Sequence, residues 1–387
     1  MLRLKPGSGK RPTSWPRHQR ILVIGKTPLG EHVIREIESR PALGVVVGVL
    51  DDGVSAAVDS EESLRVREIA RLTAVIDELR PDHIVLALIE RRNRTPLMQA
   101  LLTSAFARGI TIENGADCYE RLTGKLALES WTPMSVLFSG QLRPSRAQQI
   151  MARVISLAVA IVALVALLPF LLIIALAIKL DSRGPVLFIQ ERIGAHGRPF
   201  RLFKFRSMHD GPGRRSEWEQ DNRDQVTRVG RWLRAFRLDE LPQLLNILRG
   251  EMNLVGPRPH PTSNLELFTL VARNLNELTG AAISCYALRT SVLPGITGWA
   301  QVRYRYANNL EEEIEKLRYD LYYIKHMSSW LDLLIMFETL KVICRYQAEP
   351  PTATVVTVAE PEHPAVPARQ GEARSATSVR FGHTGEA

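Results

Sequence analysis

Twenty-five consecutive residues, Val154 to Ile178, carry no charge, and no other part of the chain so narrows what it can become. As a straight helix the run reaches roughly 37 Å, enough to cross a hydrocarbon core about 30 Å thick. Its flanks are basic on both sides, with Arg143, Arg146 and Arg153 before it and Lys179, Arg183 and Arg192 after it. Basic flanks favour the cytoplasmic face, so both ends ask for the same side of a membrane. Pro169, preceded by Leu168, stands near the middle, where it removes one helical hydrogen bond and kinks the helix. A re-entrant hairpin that turns at Leu168 and Pro169 satisfies both flanks, and a kinked spanning helix satisfies the length. On the residues alone both readings stand.

The 387 residues leave room for two domains of ordinary size and a tail. A formal charge of +9 suits an anionic partner, whether nucleic acid, a phospholipid surface or a phosphorylated substrate. Cys118, Cys285 and Cys344 show neither a disulfide framework nor zinc-ligand spacing, which fits a reducing cytoplasm. The spacing predicts a basic segment over 1–19 without an export signal, an α/β domain over 20–123, a linker over 124–150 and a membrane helix over 151–179. A second folded domain over 180–346 and a disordered tail over 347–387 complete the expected order.

In the first domain, Arg20 to Gly25 reads as a strand, followed by Gly30 and a helical pattern through Ile34 and Ile37. Further strands are expected at Val45–Leu50, ending in Asp51 and Asp52, and at His83–Leu88, after a helix from about Ser63 to Leu79. Such alternation implies a parallel sheet of the nucleotide-binding type. Thr27, however, stands where a dinucleotide fingerprint needs glycine, so the reading is a structural or regulatory domain without a tightly held cofactor.

Past the apolar run, Val186–Ile189 and the basic, aromatic segment Phe200–Met208 read as strands around a loop holding Gly194 and Gly197. The latter strand brings Lys204 and Arg206, suited to phosphates or to lipid headgroups. A helical pattern from Thr227 to Gly250 then embeds Arg234, Asp239, Glu240, Pro242 and Asn246. Adjacent helical residues point about 100° apart, so Asp239 and Glu240 diverge unless the turn is distorted. One could act as nucleophile while the other helps hold Mg²⁺, which takes one or two carboxylates plus substrate phosphates. An exposed Asp-Glu pair on a helix surface is the plainer alternative. Arg258 sits between Pro257 and Pro259, a rigid mount for a guanidinium, and a Gly/Pro-rich segment ends in Arg303. Asn309 is placed to cap a helix through His326 that carries Asp320. A second amphipathic stretch holds Asp332, with Trp330, Leu333, Phe337 and Leu340 as an apolar stripe, either core or interfacial.

From Lys179 to about Val342 the chain resembles the bacterial sugar transferases that are monotopic polyprenyl-phosphate phosphoglycosyl transferases. The resemblance rests on KLDSRGPVLFIQERIGAHGRPFRLFKFRSM, RLDELPQLLNILRGEMNLVGPRP, LPGITGWAQV and DLYYIKHMSSWLDL. It implies a re-entrant membrane helix, and transfer of a phosphosugar from a UDP-hexose to undecaprenyl phosphate with release of UMP. It also implies Asp239 as nucleophile, Glu240 as a Mg²⁺ ligand with Asp239 beside it, and Arg234, Arg258 and Arg303 on phosphates or nucleotide. Lys204, Arg206, Asn246, Asp320 and Asp332 become members or supports of the substrate site. Leu293 stands where the family often has lysine, so no cation is assigned there, and Leu168 stands where a small polar residue is frequent.

The expected fold is thus an α/β Rossmann-like N-terminal domain plus a mainly α (α+β) membrane-associated catalytic domain. The location implied is the bacterial inner membrane, monotopic, with both soluble domains cytoplasmic. The chain is similar to the forms found in exopolysaccharide systems, and a homodimer is compatible with it. A membrane-anchored nucleotide-sensing protein explains the charge and the apolar run, but not the joint occurrence of Asp239-Glu240, Arg258 and the Gly-Pro turns. A nucleic-acid-binding membrane protein lacks a recognisable motif, so nucleic acid is not an expected partner.

Overall fold

The computed structural model describes residues 18–50, 73–87, 103–130, 142–209, 225–262, 288–304 and 310–346. Asp51, Asp52, Ser63, Trp131, Phe138, Asn309, the first 17 residues and the tail from 347 lie outside the described residues.

The N-terminal half is a four-stranded parallel sheet built from β1 (Gln19–Ile24), β2 (Gly44–Leu50), β3 (His83–Leu86) and β4 (Thr111–Asn114) in the order β2-β1-β3-β4. Side chains alternate across a strand, and β1 is apolar on both faces, so it needs cover on both. Ile21 and Val23 pack against Leu29, Val33 and Ile37 of α1 (Pro28–Glu38) and Cys118 and Tyr119 of α2 (Gly115–Thr123). Leu22 and Ile24 pack on the other side with Ile76, Ile84 and Ala105. Thr27 caps α1 by accepting from the Gly30 N–H at 3.1 Å, and its hydroxyl donates to the Ala87 carbonyl at 2.7 Å. Its side chain therefore occupies the turn where the fingerprint glycine would leave space.

The segment expected to be a linker opens differently. Leu126, Leu128 and Leu142 are buried in the largest core among the described residues, together with Val255, Trp299, Leu321, Tyr323 and Ile335. The Leu126 N–H donates to the Arg318 carbonyl at 3.0 Å and the Trp299 indole to the Gly124 carbonyl at 2.8 Å. Buried Glu120 of α2 accepts from Lys325 at 2.8 Å. Residues 115–130 thus join the two halves through core contacts, with Leu126 and Leu128 removing their apolar surface from water in the second half's core.

The apolar run forms one helix, α3 (Arg146–Asp181), entered through a capping box between Ser145 and Gln148 and continuous across Pro169. Helical backbone continues through Leu168 and Pro169, so a bend there is a kink within the helix and not a loop. One side of α3 is buried against the second half at both ends. Ala152, Ser156 and Ala160 meet elements of the second half, and Ile174 and Ile178 meet Phe205 and Leu233. The Arg153 guanidinium donates to the Ile247 and Met252 carbonyls, and the Ser156 hydroxyl accepts from the Leu254 N–H at 3.0 Å. Val162, Val165, Leu168, Leu172 and Ile173 stay exposed.

The second half then runs through the antiparallel pair β5 (Leu187–Ile193) and β6 (Pro199–Phe205), helix α4 (Arg228–Ala235) and a 3-10 turn at Leu238–Gln243. It continues through α5 (Leu244–Arg249), strand β7 (Asn253–Val255) parallel to β8 (Gly295–Thr297), and α6 (Trp299–Arg303). Finally come α7 (Leu310–Lys325) and α8 (Ser329–Tyr346). On α8, Leu331 and Ile335 face the core, whereas the stripe Trp330, Leu333, Phe337 and Leu340 is exposed.

Candidate functional site

The expected helix from Thr227 to Gly250 is broken in three. After α4, Arg237 takes a left-handed backbone (φ 53°, ψ 23°), which for a residue with a Cβ costs on the order of 1 kcal/mol. The chain then winds as a 3-10 turn through Pro242 before α5 begins. This distortion sets Asp239 and Glu240 side by side on a tight turn packed against β6. Gly230 lets α4 approach that strand's exit closely, since a Cβ there would lie 2.0 Å from the Ser207 carbonyl oxygen.

Around the two carboxylates stand cations from three elements. Lys204 of β6 lies 3.5 Å and Arg258 3.0 Å from Glu240 Oε1. Arg234 of α4 contributes positive potential at Asp239. Burial alone would push Glu240 up, but Arg258, Lys204 and Arg237 overcome it and hold the carboxyl at about 2. For Asp239 the balance falls the other way. Burial, and then repulsion from the ionised Glu240, raise its carboxyl above the usual range despite Lys204, Arg234 and Arg258. Burial also lowers the Lys204 ammonium. Two neighbouring carboxylates with divided ionisation, ringed by cations, form a site for phosphate chemistry.

Arg258 is mounted on a stiff loop. Gly256 and Gly295 lie back to back, and a Cβ on Gly295 would meet the Gly256 nitrogen at 2.1 Å, which explains glycine in both turns. Beneath it, Arg289, on helical backbone that ends shortly before β8, pairs with Asp320 of α7 at 2.7 Å, both buried. Burial outweighs that pairing and raises the Asp320 carboxyl. A shallow cleft beside Arg258 is lined by Gly194, His260, Arg289 and Thr290.

Other expected site residues sit farther back. Asn246 is fully buried, with its amide nitrogen donating to the Arg201 carbonyl and the Glu251 carboxylate, both at 2.7 Å, and its oxygen accepting from the Phe203 N–H. It fixes β6, and so Lys204, rather than opening to the site. Arg206 donates to the Ser182 carbonyl and hydroxyl, fastening β6 to the exit of α3. Asp332 accepts from the Tyr323 hydroxyl at 2.8 Å, and burial raises its carboxyl to about 6. Arg303 is exposed and stacks 4.3 Å over the Trp299 ring, in another part of the half. Arg289 escaped the sequence reading because a lone arginine outside a Gly-Pro turn gives no local signal. Its meaning lies in a carboxylate 31 residues later.

Among the described residues no three His, Cys, Asp or Glu side chains group to hold a metal. Mg²⁺ nevertheless fits this donor set, because it needs one or two protein carboxylates when substrate phosphates complete its shell. Glu240, ionised beside Lys204 and Arg258, is the carboxylate suited to such a shell.

A carboxylate pair in a cationic ring, Glu240 buried and Asp239 half-buried, carried by a domain that packs along a long apolar helix, suits a membrane-associated class of protein that acts on phosphates. The family model described as Bacterial sugar transferase matches residues 147–346, and the chain belongs to that family. It is 33% identical over 331 residues to a UDP-glucose:undecaprenyl-phosphate glucose-1-phosphate transferase of Klebsiella pneumoniae, covering 83% of this chain and 67% of that one. It is 38% identical over 225 residues to a UDP-N-acetylgalactosamine-undecaprenyl-phosphate N-acetylgalactosaminephosphotransferase of Aeromonas hydrophila, covering 58% of this chain and half of the relative's length. A Caulobacter vibrioides UDP-glucose:undecaprenyl-phosphate glucose-1-phosphate transferase is 42% identical over 214 residues, 54% of this chain and 75% of its own.

Proposed function

We propose that the protein transfers a sugar 1-phosphate from a UDP-hexose to undecaprenyl phosphate, giving undecaprenyl-diphosphate-sugar and UMP at the cytoplasmic face of the bacterial inner membrane. The observation that carries this reading is the Asp239-Glu240 turn inside the ring of Lys204, Arg234 and Arg258. The relatives' names support it, since each describes transfer to undecaprenyl phosphate. Their sugars differ, so the hexose is to be read from an assay.

In this mechanism the Asp239 carboxylate attacks the sugar-bearing phosphorus of the donor, the bond to the bridging oxygen breaks, and UMP leaves with that oxygen. The aspartyl-phosphosugar is then attacked by an oxygen of the lipid phosphate, which takes the phosphosugar and regenerates Asp239. Lys204, Arg234 and Arg258 offset the repulsion between Asp239 and the diphosphate and stabilise charge on the departing UMP. Glu240, with Asp239, would hold Mg²⁺, which when bound neutralises diphosphate charge. Burial and the neighbouring Glu240 keep Asp239 basic enough to be a competent nucleophile.

The membrane part of the reading is a re-entrant α3. Its two ends pack on the same half, which supports placing both on one side of the bilayer, with exposed Val162, Val165, Leu168 and Leu172 as the apolar middle. The exposed stripe of α8 adds a second apolar face. The parallel N-terminal sheet supports a Rossmann-like domain, and Thr27 in its turn supports a structural rather than cofactor-binding role.

The test supplies detergent-solubilised protein with Mg²⁺, undecaprenyl phosphate and a panel of UDP-sugars, and follows UMP. Lipid-dependent UMP with one donor is expected. Absence of UMP with every donor would favour a nucleotide-sensing membrane protein.

A further inference from the structure

Proline has no N–H and fixes its own φ, so the Gly256-Pro257-Arg258-Pro259 loop can hold itself in place only poorly and must be gripped through its carbonyls. Each carbonyl from 257 to 260 is gripped by a different donor. Pro257 accepts from the Gly295 N–H at 2.9 Å, Arg258 from Arg289 Nη2 at 2.8 Å, Pro259 from Arg192 Nη1 at 3.3 Å and His260 from the Ile193 N–H at 2.9 Å. The grip on Arg258 itself comes from a side chain, and that side chain is aimed by another, since Arg289 Nε donates to Asp320 Oδ2 at 2.7 Å.

We propose that the buried Asp320–Arg289 pair is the positioning device for Arg258, so that α7 sets where the Arg258 guanidinium meets Glu240 and the donor diphosphate. This rests on the functional reading above, in which Arg258 handles phosphate. A guanidinium is costly to bury alone, and Asp320 is the counter-charge that lets Arg289 remain in the interior. Its planar fork then serves both the carboxylate and the carbonyl, which a lysine ammonium serves less well. Asp320 and Arg289 act through Arg258, so of the two roles the resemblance left to Asp320, member or support of the site, the proposal assigns it the second.

The experiment is a double-mutant cycle on the full-length, membrane-extracted protein. It reads kcat/KM for UDP-glucose (or the donor the panel identifies) and, independently of turnover, the affinity for UDP. Arg289→Met alone is expected to lower both by roughly tenfold to a hundredfold. In an Arg258→Gln background the same change is expected to have little further effect, because the residue it positions has already lost its charge. Asp320→Asn should reproduce the pattern, and Arg289→Lys should restore part of the loss. These two variants carry the cycle where Arg289→Met does not fold. Losses that multiply independently of Arg258, or wild-type values in Arg289→Met, overturn the positioning role while leaving the transferase reading intact. A wild-type protein that neither turns over nor binds UDP overturns that reading itself.

Discussion

At the scale of single residues, the account turns on two neighbouring carboxyls that titrate apart. On the proposed mechanism turnover requires ionised Asp239, so kcat/KM is expected to rise with pH through its raised value, while Glu240 at about 2 contributes no limb in the working range. Arg258 helps hold both carboxyls down. Arg258→Gln is therefore expected to move the acidic limb of kcat/KM to higher pH as well as lowering its plateau, and an unmoved limb would contradict the assigned electrostatics. Asp332 gives a separate prediction for stability. Its carboxyl lies at about 6 in the folded protein against an ordinary 3.8, so the folded state binds more protons between those values, and stability falls as pH rises through the window. Asp332→Asn, which keeps an acceptor for Tyr323, is expected to raise Tm above pH 6 and to match the wild type below about pH 4, measured by calorimetry. Neighbouring motifs and the family resemblance made Asp239, Glu240, Lys204, Arg234 and Arg258 legible as candidates, and the structure brings them together around one turn. The roles of Asn246 and Arg206 were not legible, because an interior amide or guanidinium and a substrate-facing one read alike until their partners are known.

At the scale of elements, α3 decides how the protein meets a membrane. Its contour is long enough to span, yet Ala160 and Ile178 are buried against the same half, so the contacts favour a helix that enters and returns. With Cys118, Cys285 and Cys344 replaced, cysteines introduced by Ala147→Cys and Arg183→Cys are expected to react with an impermeant maleimide only in inverted membrane vesicles. Labelling of either one from the periplasmic face would establish a spanning helix. The run and its basic flanks were plain in the sequence. The geometry at Pro169 was not, since a proline permits anything from a mild kink to a sharp turn and the surroundings choose. The break between α4 and α5 was likewise hidden, because the apolar spacing from Val229 to Leu248 suits a continuous helix and the left-handed Arg237 carries no signature of its own.

At the scale of the whole molecule, the two halves are joined by residues 115–130. Strands β1, β2 and β3 were legible from periodicity, within a residue or two at β1 and β2, whereas β4 and α2 were not read from it. The burial of Leu126 and Leu128 among Trp299, Leu321 and Tyr323 was not legible, because those partners lie more than 160 positions away and only tertiary contact reveals them. This arrangement sets a rigid site beside an apolar helix, where a soluble donor and a lipid phosphate can both arrive. The central claim is that Asp239 carries the phosphosugar between them. The most direct test incubates the protein with a UDP-sugar radiolabelled in the sugar, in Mg²⁺ and without lipid acceptor, and looks for label on the denatured protein. The account predicts label that is absent in Asp239→Asn and is chased into lipid by undecaprenyl phosphate. Lipid-dependent UMP release with no protein-bound label, or label retained in Asp239→Asn, would contradict it.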